Sequence, residues 1–384
     1  MLGTGFTPGE GNFYAHTTSG EAVASQARGK DSGKGEPVSV DTAVRPAPSR
    51  PAATVLPWLL PVRPLQAAVW EIAALAVLLA WLLDGVTQPV RIGVAAGAGL
   101  VVLATSVRFA GRHLAGWTLT WTAYRLRRHD TRRDSPDPLH RVAGPVKVRQ
   151  HVDRAGNRFG VAEVDGGWST LVRLTPGSAS GASLVDVLHA AYRRTDVPLA
   201  SAQLLTWAIP RGEQVLRVRW LAVRYRPDLA PVAALARGGG ELGALRSTAS
   251  AALSLMGALA EAGYQSTVLE AGELAKELRV ALGVQGAAGG APDRWRSWTW
   301  GNAAQVCFTP RSPRVVDFSV PGAAFTATSY TLTRTPGGRE KAEVTIRVGA
   351  RPGSPAPAPR IPVVPLHGRH EAAVRKTLPL ALDS

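Results

Sequence analysis

The chain has 384 residues, of which 45% are hydrophobic, and its formal net charge is +16. This length accommodates one large domain or two ordinary ones with a sizeable core. The single cysteine, Cys307, excludes an intramolecular disulfide and a cysteine-based zinc site. Because the richness in arginine, alanine, glycine and proline is typical of a high-GC genome, the basic charge alone is weak evidence for a nucleic-acid partner.

The first 55 residues form a segment of unusual composition. Residues 1–55 are rich in Gly, Ser, Thr, Ala and Pro and contain few large apolar side chains. Such a segment buries too little apolar surface to offset the entropy of ordering, so the sequence predicts a disordered tail. It also lacks the apolar core that a signal peptide requires.

Two long apolar runs follow within residues 56–110. The first extends from Leu65 to Leu83 with one charge, Glu71, and the second, from Val90 to Ala110, has no charge between Arg91 and Arg108. As helices, both could cross the about 30 Å hydrocarbon core of a bilayer. The short polar connector between them predicts a transmembrane hairpin with both ends on one side. The alternative, a pair of buried helices in a soluble protein, is disfavoured because the runs are apolar on every face.

Two small residues on the second run allow two interpretations. Gly93 and Gly97 have the small-xxx-small spacing that lets membrane helices approach closely, so we predict helix–helix packing at this face. Equally, Gly93 and Gly97 could merely be small residues that are tolerated in lipid.

A basic and aromatic segment, residues 111–135, comes directly after the second run. By the positive-inside rule, its arginines predict a two-pass protein of the plasma (inner) membrane with both termini in the cytoplasm. Aromatic rings on one helical stripe and the arginines beside them suit headgroups, anionic lipid phosphates or a partner helix. Basic residues interleaved with aromatics also suit nucleic acid, but the adjacent span favours the membrane. We therefore predict a membrane-interface or partner-docking role for Trp117, Trp121, Tyr124, Arg125, Arg127 and Arg128.

The remainder of the chain has the pattern of a folded domain. Short alternating runs predict strands at residues 146–152, 158–164 and 168–174, and a further pair of strands at residues 202–209 and 215–225 around a Pro-Arg-Gly-Glu turn. Two amphipathic runs around residues 183–194 and 241–262 predict helices. From residue 295 onward the pattern is mostly that of strands. The sequence thus predicts a mixed α/β cytoplasmic domain over residues 142–350, anchored by the transmembrane hairpin. A Pro/Arg-rich C-terminal tail follows at residues 351–384.

No motif in this domain indicates catalysis or a cofactor. The chain has no Walker A motif and no nucleophile elbow, and we predict no catalytic, cofactor-binding or metal-binding residues. His367 and His370 form an H-x-x-H pair, which without a nearby carboxylate or thiol we interpret as surface residues. Trp295, Trp298 and Trp300 could belong to the core, a partner-binding surface or a sugar-stacking platform, of which the core is favoured.

Three stretches resemble the EccE component of actinobacterial type VII secretion systems. The stretch from Gly111 to Trp117 resembles the juxtamembrane helix of that family, and Leu245 to Leu278 resembles its central helix, glycine turn and short strand. Arg294 to Pro310 resembles its tryptophan-containing strand pair. With gaps, the likeness extends from about residue 57 to residue 350.

The resemblance implies a non-enzymatic structural subunit of a secretion membrane complex. Its implied partners are membrane lipids and other membrane subunits, including an FtsK/SpoIIIE-type ATPase, and no nucleic acid. Two alternatives come from the residues themselves. One is a membrane-anchored enzyme acting on nucleotide-sugars or lipids through an unrecognised site, and the other is a membrane-tethered nucleic-acid or signalling module.

Overall fold

The chain begins its described structure with a pair of apolar helices. The computed structural model describes residues 64–109, 112–127, 137–177, 183–194, 196–212, 214–283, 293–301, 303–312, 317–335, 338–351 and 353–382. The predicted disordered tail, residues 1–55, lies outside them. Helix α1 is Pro64–Leu82 and helix α2 is Gln88–Ser106.

Only one of the two helices passes the test for a membrane span. Helix α2 is long and apolar enough to cross a bilayer, and none of its residues is buried. The apolar part of α1, Gln66–Leu82, is shorter than the about 20 residues of a typical span. The structure thus contains one candidate membrane-spanning helix and a shorter apolar helix beside it.

The two helices are antiparallel, as the hairpin prediction requires. Near one end of the pair, Trp70 Nε1 donates to Thr105 Oγ1 at 2.9 Å, and at the other end an Arg91 guanidinium nitrogen donates to the Leu83 carbonyl at 3.0 Å. The small side chains of Ala73 and Ala80 are buried on α1 and allow close approach to α2.

Gly93 and Gly97 do not take part in this packing. A Cβ atom added to either glycine would meet no described atom within 4 Å. Among the described residues, the structure therefore shows no close contact between α1 and α2 at these two glycines, where the sequence predicted that the two helices approach each other.

A short hairpin separates α2 from the next helix. Strands β1 (Arg108–Phe109) and β2 (Arg112–His113) pair, and helix α3 is Leu114–Arg127. Helix α2 ends because Val107 takes an extended conformation, with φ −69° and ψ 126°. The hydroxyls of Thr105 and Ser106 also bond back to carbonyls of the preceding turn.

 Among the described residues, the α/β domain contains twelve strands and six helices in an order dominated by hairpins. The strands are β3 Lys147–Val152, β4 Arg158–Val164, β5 Gly167–Leu174, β6 Ser201–Arg211, β7 Gln214–Tyr225, β8 Ser266–Val268, β9 Asp293–Arg294, β10 Ser297–Trp300, β11 Ala303–Pro310, β12 Phe325–Arg334, β13 Glu340–Gly349 and β14 Val363–Pro365. The helices are α4 Pro138–Ala143, α5 Leu184–Arg194, α6 Pro231–Leu235, α7 Gly240–Glu261, α8 Ala271–Leu282 and α9 His370–Lys376.

All twelve strands join one antiparallel sheet. Their order is β3-β4-β5-β7-β6-β12-β13-β11-β10-β9, with β8 also paired to β5 and β14 also paired to β11. The prediction of a mixed α/β domain is confirmed in this form, and the two long strands β6 and β7 form the predicted hairpin, in which Arg211 pairs with Gln214.

The strand order is symmetric about the seam between β6 and β12. Exchanging β3 to β8 with β9 to β14 reproduces the order, and Leu205 pairs with Ser329 near the middle of the seam. Equivalent hydrogen bonds support this relation. The Leu269 amide donates to the Leu171 carbonyl at 3.1 Å, and the Leu366 amide donates to the Cys307 carbonyl at 2.9 Å. The sheet therefore consists of two topologically equivalent halves, with α8 ending the first and α9 ending the second.

Both faces of the sheet are covered, because side chains alternate along each strand. On β7, Leu221 and Val223 lie in the core beneath α5 and α7, whereas Trp220 and Ala222 lie in the core beneath α4, α8 and α9. Burial on both faces explains why β6 is buried along most of its length.

Residues 353–382, which we call the C-terminal segment, belong to this fold. They supply β14 and α9, and Leu378, Leu380 and Leu382 are buried in the core beneath α8 and α9. The C-terminal segment, which the sequence predicted to be part of a Pro/Arg-rich tail, thus helps to cover one face of the sheet.

Candidate functional site

Helix α3 packs on the α/β domain with one of its faces, the inner face. Trp117, Thr120, Tyr124 and Arg127 lie along this face at helical spacing, and Thr120 and Tyr124 are buried. The helix therefore connects α1 and α2 to the domain through side-chain packing as well as through the chain.

Aromatic rings form the centre of this contact. Trp295, in the turn between β9 and β10, has its ring centroid 5.9 Å from that of Trp117 and 5.5 Å from that of Tyr124. His367, in the turn before α9, lies 6.0 Å from Trp117 and stacks on Trp295 at 6.5 Å. Offset and edge-on pairs of this kind stabilise a contact beyond the area that they bury.

Hydrogen bonds flank the rings on both sides. An Arg127 guanidinium nitrogen donates to the Gly368 carbonyl at 2.7 Å, and an Arg369 guanidinium nitrogen donates to Thr120 Oγ1 at 3.0 Å. We call the set of Trp117, Thr120, Tyr124, Arg127, Trp295, His367, Gly368 and Arg369 the α3 dock.

Gly368 is required by the geometry of the dock. Its φ of +67° is in the left-handed region, and an added Cβ would lie 2.4 Å from the Trp295 ring. Its amide also donates to the Trp295 carbonyl at 2.8 Å. A glycine at this position lets the chain pass close against the indole.

The structure separates the residues that the sequence assigns to the membrane interface or to docking. Trp117, Tyr124 and Arg127 lie in the α3 dock, whereas Trp121 and Arg125 are exposed, with the Arg125 guanidinium 5.0 Å from the centroid of the Trp121 ring. Arg128 lies outside the described residues.

Sequence reasoning missed the other side of the dock. Trp295 and His367 were noticed for other reasons, and Gly368 and Arg369 carried no signal, because no local pattern relates them to α3. Of the tryptophan cluster, Trp298 and Trp300 are buried and confirm the interpretation as core.

The interpretation of both H-x-x-H histidines as surface residues is wrong for His370. This residue is fully buried, and its Nδ1 accepts a hydrogen bond from the Cys307 amide at 3.1 Å. Burial, with a smaller contribution from the nearby His367, lowers the pKa of His370 to about 4. The side chain is therefore neutral at neutral pH. No group of three metal ligands occurs in the described part of the chain.

Acidification is expected to destabilise the domain through His370. Because its pKa falls from 6.5 unfolded to about 4 folded, the unfolded chain binds more protons between these values. Its contribution to stability is complete above pH 6.5 and is lost as the pH falls to about 4, a change of roughly 3 kcal/mol. Thermal unfolding in detergent at a series of pH values measures it. His370→Gln should lose less stability than the wild type over this range, and equal losses would contradict the assignment.

A second cluster of titratable groups joins α5 to the sheet. His189 Nε2 lies 2.8 Å from the Tyr330 hydroxyl, His189 Nδ1 contacts the Glu340 carboxylate, and Arg193 donates to Glu340 at 2.9 Å. Burial, with the charges of Glu340 and Asp186, raises the pKa of Tyr330. The cluster borders an open depression of about 510 Å³ that Asp186, His189, Ala190 and Arg193 line. These contacts connect three elements and hold Tyr330 protonated.

Comparison with known families gives a match over part of the chain. Residues 214–309, from β7 to β11, match the family described as "Putative type VII ESX secretion system translocon, EccE". Over this stretch, about a quarter of the chain, the sequence is similar to the EccE family. The match confirms the resemblance drawn from the sequence. No curated protein matches the chain.

The matched stretch contains one residue of the α3 dock. Trp295 lies within it, whereas helix α3 and the His367–Arg369 turn lie outside it. The EccE family consists of secretion translocon components, which are not known as enzymes.

Proposed function

We propose that this chain is a non-catalytic structural subunit of a type VII secretion membrane complex. In this role the helix pair spans the plasma membrane twice, with both chain termini in the cytoplasm. The α/β domain lies at the cytoplasmic face beside other membrane subunits, including an FtsK/SpoIIIE-type ATPase. The α3 dock is the observation that supports this function best.

The dock supports a structural role because it couples two parts that a flexible tether would leave independent. The Leu114 amide at the start of α3 donates to the Val107 carbonyl at the end of α2, at 2.9 Å. From there, four side chains of α3 contact the domain. A subunit that positions a domain against its neighbours needs a joint of this kind, since loose linkage would lose binding energy to ordering.

The orientation follows from charge. Helix α3 carries arginines in its last turn and no acidic residue, and further arginines follow in the sequence at positions 128, 132 and 133. Under the positive-inside rule, this concentration favours a cytoplasmic location for the end of α2 and for the domain.

The alternative function, a membrane-anchored enzyme, would have to use a cleft with titratable groups. The depression beside His189 is the feature that favours it. However, His189, Arg193 and Glu340 there bond to one another and to Tyr330. Nucleotide or metal binding that Arg193→Ala abolishes would support the enzyme.

Gly368→Ala is expected to open the α3 dock and weaken assembly. The added Cβ would lie 2.4 Å from the Trp295 ring, in a backbone conformation with φ +67°, at a cost of about 1–3 kcal/mol. Hydrogen exchange of residues 114–127 should accelerate in the full-length variant. Native membranes extracted in detergent should then yield less of the ATPase and other multi-pass subunits with the tagged chain.

The control is Gly353→Ala, whose φ of +75° is similar but whose added Cβ would meet no described atom within 4 Å. If hydrogen exchange accelerates but the recovery of partner subunits is undiminished, the dock does not contribute to assembly. Failure of the wild-type chain to co-purify with any membrane subunit would overturn the proposed function itself.

A further inference from the structure

Helix α3 has an outer face, opposite the dock, that is apolar and exposed. Leu119, Trp121 and Leu126 expose 70%, 49% and 74% of their surface, and together with Thr122 and Arg125 they make up the outer face. Three large apolar side chains on one short helix are costly to leave in water, since each would gain about 1.5–3 kcal/mol from full burial. The outer face therefore requires an occupant.

The polar side chains of this face are suited to an apolar medium. The Thr122 hydroxyl donates within the helix, to the Thr118 and Leu119 carbonyls at 3.0 and 3.1 Å. It can satisfy its donor there without water, as threonines do in membrane helices. Arg125 has its guanidinium beside the Trp121 ring, at 5.0 Å from the centroid. Its long side chain can reach a phosphate while the indole lies at the headgroup boundary.

The position of α3 in the chain brings the outer face to the bilayer surface. Helix α2 passes the length and composition test for a span, and the hydrogen bond between Leu114 and Val107 keeps the start of α3 at its end. If α2 crosses the membrane, α3 starts at headgroup depth. The helix that carries the outer face then begins soon after the span, at Leu114, since α2 ends at Ser106.

We propose that the outer face of α3 lies on an anionic phospholipid surface, with Leu119, Trp121 and Leu126 at the headgroup–acyl boundary and Arg125 at lipid phosphates. The inner face meanwhile holds the α/β domain, so α3 lies between the bilayer and the domain. Anionic lipid is favoured because α3 has arginines and no acidic residue. The proposal rests on the proposed function only in placing α2 across the membrane.

Nitroxide labels test this placement in the full-length chain. Cys307 is the only cysteine of the chain and is buried, so Leu119→Cys and Leu126→Cys can be labelled singly. The variants are reconstituted in nanodiscs of phosphatidylcholine with and without phosphatidylglycerol. Collision with oxygen and with a water-soluble nickel chelate then reports depth. Leu229→Cys, at a leucine of the α/β domain that is 65% exposed, is the matched control.

The expected result is that labels at positions 119 and 126 lose most of their nickel collisions and gain oxygen collisions, whereas position 229 remains accessible to nickel. Arg125→Gln should reduce the additional protection that phosphatidylglycerol provides. Equal nickel access at all three positions in both lipids would overturn the proposal. Protection that appears only when the chain is in its complex would also overturn it, in favour of a protein partner. Neither result depends on which subunits co-purify.

Discussion

Leu378→Ala combined with Leu380→Ala is expected to unfold much of the α/β domain. Both leucines are fully buried, and replacing a buried leucine by alanine costs roughly 2–5 kcal/mol. Together the two changes approach the whole stability of a typical domain, about 5–15 kcal/mol. Thermal unfolding of the full-length chain in detergent measures the effect.

The large effect is expected because these leucines anchor the second half of the sheet on the first. The Ser169 hydroxyl donates to the Leu380 carbonyl at 2.7 Å, and the Ala381 amide donates to Gln203 Oε1 at 2.9 Å. Ser169 and Gln203 belong to β5 and β6, whereas the leucines follow α9. Loss of the leucines would therefore loosen both halves.

The control replaces two exposed leucines, Leu229→Ala and Leu253→Ala, whose side chains lie largely outside the core. This pair should unfold within a few degrees of the wild type. If both double variants unfold at the same temperature, the C-terminal segment does not contribute to the core.

Arg347→Ala is expected to have the second-largest effect, a loss of about 3–5 kcal/mol, because three buried oxygen acceptors would lose a charged donor at about 1–3 kcal/mol each. The guanidinium is fully buried and donates to the Leu282 carbonyl and to Gln305 Oε1, both at 3.0 Å, and to the Ala281 carbonyl. Burial lowers the pKa of Arg347 to about 10, so it remains a cation at neutral pH. Its removal would leave the last carbonyls of α8 without this donor.

The buried charge is stabilised without a carboxylate among its hydrogen-bond partners. The carbonyl end of α8 carries the negative end of the helix dipole, and the rings of Trp207 and Phe325 lie 5.5 and 5.4 Å from the guanidinium carbon. Helix α8 belongs to the first half of the sheet, and β13, which carries Arg347, belongs to the second. Arg347 therefore joins the two halves through a helix of the first half, whereas Leu380 does so through a strand of the first half.

Two further variants distinguish the geometry from the charge. Arg347→Lys keeps a cation but cannot form the forked contacts, so its unfolding temperature should lie between those of the wild type and the alanine variant. Exposed Arg294→Ala should leave stability unchanged. A wild-type unfolding temperature for Arg347→Ala would refute this role.

The two predictions concern contacts that include equivalent hydrogen bonds between the two halves. Ser169 on β5 contacts the carbonyl of Leu380, beyond α9, and Gln305 on β11 contacts the carbonyl of Leu282, at the end of α8, at 3.0 Å. Each half thus bonds to the other through the end of its last helix or through the residues that follow that helix. These bonds add to the pairing of β6 with β12 at the central seam.

The sequence determined the local elements of this protein. Alternating side chains predicted β3, β4, β5 and the β6–β7 hairpin, and helical periodicity predicted α7. The apolar run at residues 90–110 predicted a span, which α2 fits by length and composition. These features depend on residues a few positions apart, so the chain itself displays them.

Only the tertiary structure decided which distant segments meet. The β6–β12 seam, the α3 dock and the burial of Leu378–Leu382 join residues that lie far apart in the sequence, and no local period records such a choice. Composition was misleading where polar residues are buried, because His370 and Arg347 resemble surface residues until their partners are known. Long-range packing and hydrogen bonding, rather than propensity, set these positions.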